Sequence, residues 1–409
     1  MPKTSHTKNF VEQFGAHYFR TCILPQLQCL WSEQRMHYET LFKEWVDYLR
    51  IVCGTRVENE DLFLRHTYLA SLAKLMVCIL FSEGASLETN LIQQVLNGNA
   101  FREWGVANFV EEDFFSWLGG HKRGISLARA ILKHLSQFSI ANMDEDALQN
   151  IYQDLLDREE RHELQEYYTP GRIARRMALY FLHDAPEKRF LDPACGSGVF
   201  LGAAIACKIR YASMSGEYLL RHILSTVVGI EIHPVAVIIA KTNYLLALRS
   251  LLRTRQGEVF IPIYMADSLC APKEAVVDGA RAYEMTVDET SLYVPALDDP
   301  DTIDQLVEAL KHYAVDAAQG TEAKADMLTY LHAMPRASCL LDSGTIPGGL
   351  LSIMKQTGQA LAKLSENHQG TATIWAFVLK NFYKPALLTR GFDVVVGVSE
   401  VPPINLQEW

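Results

Sequence analysis

None of the eight cysteines sits in a Cys-x-x-Cys pair, so neither a dithiol redox motif nor a paired-cysteine metal site is written into this chain, and its thiols are expected to be reduced and mostly buried. Positive charge is also in short supply. The 38 Lys and Arg stand against 48 Asp and Glu, a net charge of −10, which removes whole-surface attraction to nucleic acid and leaves only local basic patches for that purpose. Residues 1–9 are polar and lack the apolar stretch of a signal peptide. Long uninterrupted apolar runs are missing too: residues 68–81 are short and contain Lys74, which favours buried helices over membrane spans. The expected compartment is therefore the cytoplasm. No internal repeat or low-complexity tract occurs, and no Asp…Glu-x-Lys nuclease pattern stands out in residues 1–150.

What is there is enough chain for two or three domains: 409 residues, 49% of them hydrophobic. Residues 1–150 show helical periodicity without β alternation, as in 60–70 and 125–138, and predict an α-helical N-terminal domain. Arg172, Arg175 and Arg176, and the run His121-Lys122-Arg123, form basic clusters that read first as solvated surface and second as DNA contacts.

Residues 190–201, Phe-Leu-Asp-Pro-Ala-Cys-Gly-Ser-Gly-Val-Phe-Leu, carry the most information. An apolar strand runs into Asp192-Pro193, turns through Gly196 and Gly198, and continues as an apolar helix whose first N–H groups face any ligand on the turn. A dinucleotide fingerprint needs a third glycine where Leu201 stands, which disfavours NAD. Cys195 has no neighbouring base and is given no nucleophile role.

Three further segments surround this turn. Upstream, Tyr167-Tyr168-Thr169-Pro170 precedes an amphipathic helix with Ile173, Met177, Tyr180 and Phe181 at helical spacing. Downstream, residues 227–234, Val-Val-Gly-Ile-Glu-Ile-His-Pro, form a buried strand that ends on Glu231, followed by a helix over 235–248. A carboxylate in that place can accept hydrogen bonds from ribose hydroxyls. A third strand, 260–266, ends at Asp267-Ser268. The gap between Asp192 and Glu231 exceeds the roughly 20 residues of a simple nucleotide fold, so it must hold an extended helix or an insertion. His233 has no second ligand at metal-binding spacing and reads as a turn histidine.

The run Asp192-Pro193-Ala194-Cys195-Gly196-Ser197-Gly198 resembles motif I of the S-adenosylmethionine-dependent adenine-N6 DNA methyltransferases of restriction-modification systems, and the other segments resemble motifs X, II and III in their usual order. The resemblance implies a Rossmann-like α/β sheet of about four strands behind the helical N-terminal domain. It also implies S-adenosylmethionine as cofactor and double-stranded DNA as substrate. Tyr168, Thr169 and Pro170 would line the methionine end, with Asp192, Ala194, Cys195, Gly196, Ser197 and Gly198 around the cofactor. Glu231 would bind the ribose, Ile232 would wall the adenine, and Asp267 with Ser268 would meet the adenine amine. The implied segments are 1–150 (helical), 151–270 (cofactor half), 271–374 (a mostly helical insertion) and 375–409 (a helix and the fourth strand).

That fourth strand, 391–397, leads in the family into Asn-Pro-Pro followed by an aromatic residue, which hold and stack a flipped adenine. Here it continues Val398-Ser399-Glu400-Val401-Pro402-Pro403-Ile404. If Pro402 and Pro403 stand for the family's catalytic pair, Val401 replaces the polar acceptor and Ile404 the arene, and neither can do the work of the residue it replaces. The expectation is thus a methyltransferase that is inactive as this chain: a fragment, a split half awaiting a second chain, or a product whose frame was lost after Gly397, the last being favoured. Two alternatives stay open, a catalytically dead cofactor-binding or assembly subunit and a methyltransferase acting on RNA or protein.

Overall fold

The computed structural model describes residues 10–53, 58–82, 88–110, 114–138, 147–156, 169–269, 272–287, 290–297, 300–318, 327–334, 347–367, 378–379, 382 and 391–397. They form two compact units, Met1–Met265 with Gly391–Trp409, and Ala266–Arg390.

The first unit opens with helices α1 (Leu24–Cys53), α2 (Glu60–Phe81), α3 (Thr89–Leu96), α4 (Lys122–Leu135) and α5 (Ala147–Leu155). The start of α2 follows from its sequence: the Asn59 side chain accepts from Leu62 N at 3.1 Å, and Glu60 and Asp61 occupy the first turn. Its apolar residues point in every direction, and 16 residues from Leu62 to Cys78 are buried, His66, Thr67, Ser71 and Lys74 among them. By length and composition α2 could cross a membrane, as could α9 (Pro234–Leu252, introduced in chain order below), but 89% and 83% of the respective windows are buried in the fold. They are core helices, and they pack on each other.

Next come α6 (Gly171–Leu182), β1 (Phe190–Asp192), α7 (Val199–Tyr211), α8 (Gly216–Thr226), β2 (Val227–Glu231), α9 and β3 (Ile263–Met265). The second unit contributes β4 (Lys273–Val277), β5 (Ala280–Val287), β6 (Thr290–Pro295), α10 (Pro300–Ala318) and a helix α11 (Gly348–Asn367), after which β7 (Val394–Val395) returns to the first unit. The long gap between Asp192 and Glu231 is filled by two helices, α7 and α8, where a simple nucleotide fold has one.

The first unit's sheet is wholly parallel with strand order β3-β2-β1-β7. Phe190 pairs with Val227 on one side and with Val394 on the other. Succession therefore runs outward from β1 to β3 on one side, while β7 joins at the opposite side. This reversal lies between β1 and β7, and in an open parallel sheet the crevice outside the carboxyl ends of the strands at such a point is where ligands bind.

The α6 helix corrects one expectation. Its buried face is Gly171, Ala174, Ala178 and Leu182, whereas Ile173 and Tyr180, read from the sequence as core-facing, are 50% and 84% exposed. The small residues let α6 lie close against α7.

In the second unit, β4, β5 and β6 form an antiparallel sheet. Helices α10 and α11 pack on each other and on β6, with Met285, Leu292, Val294 and Ile353 in the core. Thr357 ties α11 to the sheet, donating to Tyr293 O at 2.7 Å and accepting from Tyr293 N at 3.0 Å. The segment 271–374, expected to be mostly helical, thus holds three strands as well.

Candidate cofactor site

The carboxyl end of β1 passes into a turn that only glycines at two points allow. Gly196 and Gly198 have φ of 52° and 81°, the left-handed region that costs other residues about 1–2 kcal/mol. Gly198 also lies against α9, where a Cβ would meet Ala240 Cα at 3.3 Å. Asn243, one turn further along α9, donates from Nδ2 to Ser197 O at 2.8 Å. On the far side, Ser197 Oγ donates to Oε1 of buried Gln149 at 3.0 Å. The turn is held between α9 and α5.

Glu231 locks this turn to the end of β2. Its Oε2 accepts from Gly196 N at 2.7 Å, and its Oε1 accepts from Ile232 N at 2.9 Å and His233 N at 2.8 Å. Burial raises the Glu231 carboxyl, and these three backbone donors oppose the shift. A carboxylate offers about four acceptor sites, so one stays available to a ligand hydroxyl.

Asp192 is 1% exposed. Its Oδ1 accepts from Ala194 N at 3.3 Å, and its Oδ2 is buried without a hydrogen-bond partner. Burial pushes its carboxyl up to about 8, against the pull of the Ala194 N–H and with the added push of the Glu231 charge. An orphaned carboxylate oxygen at the mouth of a ligand-binding crevice is a position waiting for a donor or a cation. Gly397, just past β7, completes the crevice, since a Cβ there would meet Asp192 Oδ1 and Pro193 Cδ at 3.3 Å.

Among the described residues neither acid is paired with a cation. The His233 ring is buried against the buried His66 ring, centroids 5.1 Å apart, and burial drives His233 down to about 3, so it is neutral at ordinary pH. Burial raises the Cys195 thiol well above its usual value, which makes it a packing residue and not a nucleophile. Below about pH 8 Asp192 keeps its proton, and a cationic ligand beside it would favour its ionised form, while Glu231 suits a hydroxyl-rich ligand. Among the described residues no group of His, Cys, Asp and Glu could hold a metal ion.

The structure thus brings Asp192, Ala194, Cys195, Gly196, Ser197, Gly198, Glu231 and Ile232 into one hydrogen-bonded cluster. Thr169 is half-buried, and Pro170 is the exposed residue that opens α6. Asp267 and Ser268 follow β3 in the second unit, where the Asp267 carboxylate accepts from Leu269 N at 2.8 Å. Tyr168, Pro402 and Pro403 lie outside the described residues. Sequence reasoning missed Gln149, Asn243 and Tyr48, whose hydroxyl donates to Ile232 O at 2.8 Å. Each is a polar residue in an otherwise unremarkable helix, and nothing in its local sequence announces a distant partner.

An open parallel α/β unit with a glycine turn and an acid closing the second strand is the kind of arrangement that holds nucleotide-type ligands. Residues 143–289 match the family described as N-6 DNA Methylase. Two solved structures are similar. The cryo-EM structure of a DrdV–DNA complex is 16% identical over 65% of this chain and 26% of that one, with a TM-score of 0.40. A nuclease-deletion mutant of the Type ISP restriction-modification enzyme LlaGI, in complex with a DNA substrate mimic, is 14% identical over 67% of this chain and 22% of that one, with a TM-score of 0.34. The chain spans about a quarter of the length of these proteins. No curated protein matches it.

Proposed function

We propose that the chain is the S-adenosylmethionine-holding part of an adenine-N6 DNA methyltransferase from a restriction-modification system, Rossmann-like in its first unit and acting on double-stranded DNA in the cytoplasm. The observation that carries this reading is the buried, unpartnered Asp192 Oδ2 at the end of β1, beside the glycine turn that Glu231 at the end of β2 holds through Gly196 N. S-adenosylmethionine supplies an electrophilic methyl group on a sulfonium centre, a cation that would favour the ionised form of Asp192. Gly196 and Gly198 let the ligand approach the backbone. Glu231 keeps one acceptor site for a ribose hydroxyl, and Ile232 offers an apolar wall.

Methyl transfer is a separate matter. Val401 accepts no hydrogen bond and Ile404 cannot stack on a flipped base, so the residues after Gly397 do not supply the contacts that activate an adenine amine. That sequence observation favours the second reading, a cofactor-binding subunit whose catalytic contacts come from a partner chain. Calorimetric titration with S-adenosylmethionine, paired with methyl incorporation into duplex DNA, tests both. Saturable binding that Asp192→Ala abolishes, without methyl transfer, is the expected result; a chain that stays folded and binds nothing refutes the cofactor assignment.

A further inference from the structure

We infer that Arg172 and Arg175 form a phosphate-binding subsite for the DNA backbone beside the cofactor turn, an assignment that rests on the methyltransferase reading above. The two residues are three apart near the start of α6 and so share a face. They line a cavity of about 340 Å³ together with Gln149, Asn150 and Gln153 of α5 and with Pro170 and Gly171, so the cavity borders the place assigned to the cofactor's methionine end. All five side chains can donate hydrogen bonds, and none carries negative charge.

Among the described residues no acid is paired with either arginine. They sit at the positive end of the α6 dipole, the first turn of α6 has no acid, and Pro170 brings no side-chain cap. Among the described residues neither guanidinium has a hydrogen bond or ion pair. Elsewhere exposed arginines do find acids, as Arg123 finds Glu33 at 2.7 Å and Arg221 finds Glu217 at 2.7 Å. Two guanidinium groups over an amide-lined hollow, with no described acid paired to them, suit an anion, and a diester phosphate can take the fork of one arginine and the amide donors opposite it.

Position and exposure favour a polymer over a small anion. Arg172 and Arg175 are exposed, within reach of a strand lying across the surface, while Gln149 forms the floor and already holds Ser197 Oγ. A phosphate seated here would lie directly beside the turn that holds the cofactor. The same place explains how an acidic chain can bind DNA, since local charge outweighs the total.

The test is fluorescence anisotropy of labelled duplexes against salt concentration, on the full chain and on Arg172→Gln/Arg175→Gln, with Arg20→Gln/Arg102→Gln as a charge-matched control. The pocket variant should weaken binding roughly tenfold or more on every duplex sequence alike and reduce the slope of log affinity against log salt by about 2. The control should leave the slope unchanged, and calorimetric affinity for S-adenosylmethionine should be the same in all three. Equal losses in both variants would show general charge and overturn the assignment. So would unchanged DNA binding with lost cofactor affinity, which would place the cofactor's own carboxylate in the pocket, or a wild-type chain that binds cofactor but no duplex. A folded wild-type chain that binds neither ligand fails the methyltransferase reading itself.

Discussion

At the scale of single residues, Asp192 decides the most. Its folded-state carboxyl, pushed up to about 8 by burial, lies above its ordinary value of 3.8. The folded chain therefore holds a proton that the unfolded chain has released between those two values, and stability falls as pH rises through that window. Asp192→Asn keeps the Oδ1 acceptor for Ala194 N and removes the charge. It should flatten this part of the stability profile and gain on the order of a few kcal/mol at pH 8, read by denaturant melts at pH 5 and pH 8. An unchanged slope would mean that Asp192 is solvated. A cationic ligand favours the ionised carboxylate, so binding should release a proton, visible as different calorimetric enthalpies in buffers of different ionisation enthalpy, and Asp192→Asn should abolish the difference. Glu231 works differently, because its three backbone bonds make it a structural tie as well as a ligand contact. In Glu231→Gln a donor amide replaces one acceptor oxygen and faces a backbone N–H. A loss of about 1–3 kcal/mol of stability is expected along with weaker cofactor binding; a variant as stable as wild type would deny the tie.

At the scale of elements, the seam between β2 and α7 is close-packed. A Cβ on Gly229 would lie 2.6 Å from Leu201 Cδ1 and 3.0 Å from Cys195 Sγ. Gly229→Ala should therefore cost about 1–3 kcal/mol by pushing α7 off the sheet. Leu201→Ala alone should cost about 2–5 kcal/mol through its cavity. The double variant should cost less than the sum, since the shortened Leu201 makes room for the new methyl; strict additivity in chemical melts would show that the two do not meet. This strand-turn-helix was legible in the sequence because its signals are local: an apolar run, an acid, two glycines and a second apolar run within residues 190–205. The buried face of α6 was not, because Ile173 and Tyr180 look like core residues, while the helix buries Ala174 and Ala178 to approach α7 closely. The antiparallel sheet was hidden for another reason. Its strands, Lys-Glu-Ala-Val-Val and Ala-Arg-Ala-Tyr-Glu-Met-Thr-Val, are rich in Lys, Glu and Ala, which fit helices better than strands, and only pairing between segments makes a sheet of them.

At the scale of the whole molecule, the helical residues before 156 and the parallel sheet share one compact unit, and the bonds that join them explain why. Asn108 stands in for a strand neighbour. Its Nδ2 donates to Ile261 O at 2.9 Å, and its Oδ1 accepts from Ile261 N at 2.7 Å. Its own carbonyl takes the Nζ of buried Lys241 at 2.6 Å, and the nearby Val106 bridges to Val259 in parallel fashion. Tyr48 and Gln149 make the equivalent ties to Ile232 and Ser197. A helical layer bound to the loops that follow the strands should melt with the sheet, whereas residues 266–390 have a core of their own. Calorimetry should therefore resolve two unfolding steps. Asn108→Ala removes both partners of Ile261's backbone and leaves buried polar groups unpaired, at about 1–3 kcal/mol each. It should lower the step of the larger unit by several degrees and leave the other in place. S-adenosylmethionine should raise that same larger-unit step, because a ligand stabilises only the unit that binds it. If Asn108→Ala moved both steps equally, or the ligand raised only the step insensitive to Asn108, the helical layer would not be part of the cofactor-binding unit.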